Sequence, residues 1–146
     1  MQIPDIARTA AVHWEGDISR GKGSIATESG KVAADYSFGT RFSGEPGTNP
    51  EELLGASHAA CYTMALTLAL TRAGHPPTAI DTTARVHLRQ AGNSVDIPLI
   101  ELATTVSAAG LDPAEFQRLA AAAKENCPLS KALRSVEITL EAKLNP

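Results

Sequence analysis

Hydrophobic and polar positions alternate most regularly near the end of this chain. Over 136–144, Val136, Ile138, Leu140, Ala142 and Leu144 fall on one side, and Glu137, Thr139, Glu141 and Lys143 on the other. A period of two is that of a half-buried strand. The same period runs through 80–89, where Ala84, Val86 and Leu88 oppose Arg85, His87 and Arg89. Ala91-Gly92-Asn93 then turns the chain, and 97–107 reads as the partner strand, with Pro98 marking an edge or a bulge. Earlier, 10–14, 24–28 and 31–38 read as a three-stranded meander, the last two joined by a tight turn at Ser29-Gly30. A loop over 39–47 carries Arg41 and Glu45.

Between these strands the pattern changes to that of helices. In the stretch 48–72, Asn49 is placed to cap, Pro50 suits the first helical position, and Glu51 and Glu52 face the positive end of the helix dipole. From there to Arg72 no side chain is formally charged apart from any charge on His58. The predicted helix covers 50–73 and stops at Gly74, a residue suited to the left-handed position after a helix. Being apolar on every side, it is expected to be buried all round. A second helix enters through Asp112 and Pro113, with Glu115 at capping-box spacing, and carries a stripe of Phe116, Leu119, Ala120 and Ala123. Asn126-Cys127-Pro128 breaks it, and a short helix over 128–133 follows. The order βββ-α-ββ-αα-β predicts an α+β fold, an antiparallel sheet with the apolar helix packed on it.

At 146 residues the chain is read as one domain, 1–146. A net charge of −3 argues against a nucleic-acid or anionic-membrane partner. The long apolar stretch contains Thr, His and Gly and begins with two glutamates, which argues against a membrane span. No charged-then-apolar leader opens the chain, so the expected setting is the cytoplasm, where structural disulfides are rare. The two cysteines, Cys61 and Cys127, are then free thiols, a redox pair or metal ligands. No second ligand pair has metal spacing, and no cofactor is expected.

Cys127 precedes a proline and sits where it would cap the next helix, a position that lowers a thiol pKa. Cys61 lies mid-helix and, to be reactive, needs a cation from elsewhere, either Arg41 or Arg20. Glu51 and Cys61 are ten residues apart, which is about 15 Å along a straight helix and roughly 80° around it. For both to serve one site, either the helix breaks near Gly55 or Glu51 comes from a second subunit. His58, three residues before Cys61, reads as a packed histidine, with metal binding or thiol activation as the sharper alternatives.

Taken together, TNPEELLGASHAACYTMAL, with HWEGDISRGKG and TRFSGEPG before it and NCPLSKAL after it, resembles the OsmC branch of the OsmC/Ohr family across nearly the whole chain. The resemblance implies an intertwined homodimer with sheets wrapped around two long central helices. It also implies a thiol-dependent peroxidase for organic hydroperoxides and, more weakly, hydrogen peroxide, regenerated by a small dithiol or lipoyl-type reductant. By position, Cys61 resembles the peroxidatic cysteine, Cys127 the resolving one, Arg41 the active-site arginine (Arg20 in the Ohr branch) and Glu51 its carboxylate partner. Leu53, Leu54 and Met64 are either lining for a peroxide tail or core. The competing reading is a non-catalytic dimer that senses redox state or binds an apolar ligand.

Overall fold

The structure is a computed structural model and describes residues 2–145. The chain divides into two compact units, 1–50 and 51–146.

The first unit is built on strands β1 (Ala10–Glu15), β2 (Lys22–Thr27) and β3 (Ala33–Tyr36), an antiparallel meander in sequence order. Register aligns Trp14, Gly23 and Tyr36 across the three strands. The Trp14 and Tyr36 rings meet edge to face, with centroids 5.6 Å apart. A Cβ at position 23 would overlap both rings, so this position requires glycine. Part of the expected loop over 39–47 is a short helix, α1 (Phe38–Phe42). Its local cause is a capping box. The Thr40 N–H donates to Ser37 Oγ, and the Ser37 N–H donates to Thr40 Oγ1 at 2.9 Å.

The second unit starts with α2 (Pro50–Arg72), which is followed by β4 (Ala79–Val86), β5 (Arg89–Ala91), β6 (Ser94–Asp96) and β7 (Leu99–Ser107). Helices α3 (Pro113–Asn126) and α4 (Pro128–Ala132) then lead to β8 (Glu137–Asn145). Where one strand was expected over 80–89, the pairing with β7 ends at Val86, and β5 with β6 forms a separate two-stranded hairpin. The main sheet has the order β4-β7-β8. It is mixed rather than antiparallel: β4 runs against β7, but β8 runs parallel to it. The reason is the connection. A chain that leaves β7 through α3 and α4 crosses over and returns in the same direction.

α2 ends as its sequence predicts. Gly74 adopts φ +84, while the N–H groups of Gly74 and His75 donate to Thr71 and Leu70 carbonyls. Its burial differs from expectation. Only one stripe is buried, made of Glu51, Gly55, His58, Tyr62, Leu66 and Leu70. Met64 is 76% exposed and Leu68 48%. The helix is long and apolar enough to cross a membrane by length and composition, but its stripe packs within this unit. Tyr62 donates to the Ala120 carbonyl of α3, and Thr63 hydrogen-bonds Thr82 of β4, which in turn meets Thr104 of β7. Thr63, Thr67 and Thr71 also donate to the carbonyls four residues before them, which satisfies hydroxyls on an otherwise apolar surface. The core combines Tyr62, Leu66 and Leu70 with Ile100, Leu102 and Val106 of the central strand and Phe116, Ala120 and Ala123 of α3.

Candidate active site

Cys127 forms the joint between two helices. Its N–H closes α3 on the Ala123 carbonyl, and its own carbonyl accepts the Lys131 N–H that opens α4. Pro128 excludes the helical conformation from the residue before it, and Cys127 accordingly takes φ −59, ψ 124. This kink turns the fully buried Cys127 side chain toward α2. There it meets Cys61, one of the half-buried residues packed against the core. Both cysteines are free, and Cys127 is near enough to act on the Cys61 thiol.

The first turn of α4 also reaches Cys61. The backbone N–H of Leu129 is near enough to the Cys61 sulfur to lower its pKa. Cys127, at the N-cap of α4, makes no side-chain cap hydrogen bond itself. Burial is the largest influence on the Cys61 thiol and pushes its pKa up; the Leu129 N–H pulls it down, and Cys127 raises it through their hydrogen bond and charge. Burial, followed by Cys127, likewise holds the Tyr62 phenol well above its ordinary range, so Tyr62 remains a hydrogen-bond donor.

His58 is fully buried one turn before Cys61 and Tyr62. Its Nε2 lies 2.9 Å from Ser130 Oγ on α4, and its Nδ1 has no partner among the described residues. Burial lowers its pKa, so the ring is neutral. Among the described residues no cluster of three His, Cys, Asp or Glu side chains could hold a metal. Ser130 and Leu129 escaped the sequence reading. The available signal was their place, three and two residues after Cys127 respectively, and it says nothing of what they face.

Arg41 lies on α1, with its guanidinium 5.2 Å from the Phe42 ring centroid. It lines a pocket of about 330 Å³ with Trp14, Ile18, Tyr36, Ser37, Phe38 and Phe42. Arg20 lies in the exposed turn after β1, where its N–H donates to Asp17. Glu51 is buried in the first turn of α2. Because α2 runs unbroken from Pro50 to Arg72, Glu51 and the Cys61 of the same chain stay about 15 Å apart along it.

Two buried or half-buried thiols near enough to act on each other, one of them near a helix N-terminal N–H, form a pair in which an oxidised sulfur is met at once by a second thiol. Comparison with known proteins agrees in fold and family. The chain is 49% identical over 140 residues to the Escherichia coli protein named peroxiredoxin OsmC, covering 95% of this chain and 97% of that one. The solved structure of the organic hydroperoxide resistance protein OhrB of Bacillus subtilis matches with a TM-score of 0.67 at 28% identity, covering 94% and 98% of the two chains. That of an organic hydroperoxide resistance protein from Elizabethkingia anophelis matches with 0.75 at 25%, covering 98% and 100%. A family model described as OsmC-like protein covers residues 42–141, and this chain therefore belongs to the OsmC-like family.

Proposed function

We propose that this protein is a thiol-dependent peroxidase that reduces organic hydroperoxides, and more weakly hydrogen peroxide, to the corresponding alcohol or water. The proximity of Cys61 and Cys127 carries this reading, in a chain half identical to a peroxiredoxin. The Cys61 thiolate attacks the terminal peroxide oxygen, the O–O bond breaks, and the alkoxide takes a proton and leaves as alcohol. Cys61 is then a sulfenic acid. The Cys127 thiol displaces its hydroxyl as water, forming a disulfide. A small dithiol or lipoyl-type reductant reduces that bond by exchange and is itself oxidised to a disulfide.

Because burial raises the Cys61 pKa, the thiolate needs a positive charge. Arg41 is assigned that role, stabilising first the thiolate and then the leaving oxygen. Its guanidinium is oriented by a bidentate pair with Glu51. The unbroken α2 separates Glu51 from Cys61 of its own chain, so the carboxylate is supplied by the partner subunit's Glu51 in a two-fold dimer. The apolar face of α2 around Met64 and Leu68, exposed in the single chain, fits such an interface. The chain works as one OsmC-like domain per subunit, in a reducing compartment, the cytoplasm, which keeps the resting pair as thiols.

Reduced protein mixed with cumene hydroperoxide and a dithiol should consume peroxide catalytically, and Cys61→Ser should abolish it. Turnover that is absent in the unaltered protein, or that survives Cys61→Ser, refutes the proposal.

A further inference from the structure

We infer that His58 and Ser130 are positioning residues: their buried hydrogen bond clamps the first turn of α4 against α2, and thereby holds the Leu129 N–H and Cys127 on the Cys61 sulfur. Both sides of the clamp adjoin the thiol pair. His58 is one turn from Cys61 on α2, and Ser130 follows Leu129 directly on α4. The bond spans 72 positions of sequence and is buried at both ends, His58 at 0% exposure and Ser130 at 8%. α4 itself is only five residues long, and Cys127 at its start gives it no side-chain cap. So short a helix has little stability of its own, and its position depends on tertiary contacts.

The ring chemistry supports a clamp rather than a base or a ligand. Nε2 is engaged with Ser130, and Nδ1 has no partner among the described residues, so neither nitrogen hydrogen-bonds Cys61. A buried N–H without an acceptor costs more than a bare lone pair, since orphaned N–H groups are rare and acceptors are more often under-satisfied. The proton of the neutral ring therefore sits on Nε2 and is donated to Ser130 Oγ. This leaves Nδ1 as a bare acceptor, and no charge from His58 reaches the thiol.

The clamp is tested on the full chain by measuring Cys61 alkylation by iodoacetamide against pH, with peptide mass spectrometry reading Cys61 alone. Ser130→Ala should move the profile up by about one pH unit, which makes the reaction about tenfold slower near neutral pH. Ser130→Thr, which keeps the hydroxyl, should return it to within about twofold of the unaltered protein. His58→Leu should shift the profile as Ser130→Ala does, and the double variant should shift it no further. Superimposed profiles for Ser130→Ala and the unaltered protein would overturn the clamp. So would a shift that Ser130→Thr leaves in place, because packing and not the hydroxyl would then be responsible. If His58→Leu does not fold, the two serine variants decide alone. The inference rests on the peroxidase reading only for its effect on turnover. Alkylation needs no peroxide, so a wild-type protein without turnover would sink that reading and leave the clamp test intact.

Discussion

A fully buried imidazole with one nitrogen unpartnered among the described residues, as at His58, makes the stability of the fold depend on pH. Burial lowers its folded pKa below that of the unfolded chain, which is near 6.5. Below about 6.5 the unfolded chain takes up a proton that the folded one refuses, so the stabilisation is complete above that pH and is lost as pH falls through the lowered folded value. The urea midpoint of the unaltered protein should therefore drop between about pH 7 and 5. In His58→Gln, which cannot titrate but keeps an amide donor for Ser130, the drop should be shallower; equal slopes would show that His58 is not the group responsible. Cys127-Pro128 and the ten-residue spacing from Glu51 to Cys61 are local patterns that the sequence displays, but only the family resemblance, and not the spacing, singled the two cysteines out as a pair. The direction of the Leu129 N–H and the pairing of His58 with Ser130 were not legible, because both arise where α4 crosses α2, and no periodicity encodes a crossing.

At the scale of the elements, the sequence disclosed the buried faces of β8 and α3 but not that of α2. β8 alternates along its whole length as its side chains do, and α3 buries the predicted stripe of Phe116, Leu119, Ala120 and Ala123. Strand direction was not disclosed, since a period of two is the same for a parallel and an antiparallel neighbour. The end of β4 at Val86 was hidden for a similar reason: alternation continues to Arg89, but the pairing does not. α1 was missed because its signal is the Ser37–Thr40 capping box at the start of a helix too short to show a period. Gly23 lies inside β2 with the Trp14 and Tyr36 rings closing over it. Gly23→Ala forces those rings apart and should cost roughly 1–3 kcal/mol, the range for overpacked cores. Equilibrium urea unfolding measures this, and an alanine variant as stable as the unaltered protein would mean that the rings move aside freely.

For the whole molecule, the discrepancy that matters most is α2. A helix read as apolar all round buries one stripe in the single chain and leaves Met64 and Leu68 uncovered. Its continuity keeps Glu51 away from the Cys61 of the same chain. In a two-fold dimer each active site would draw Cys61 from one subunit and Glu51 from the other. Complementation tests this directly. Cys61→Ser and Glu51→Ala are each expected to lack turnover as homodimers. Unfolded together and refolded, they should form mixed dimers in which one site has lost both groups and the other has regained both. Random assortment makes about half the dimers mixed, with one intact site in each, so about a quarter of the wild-type turnover should return. If Glu51 served its own chain, no mixed dimer would contain an intact site, and the refolded mixture would remain as inactive as its components.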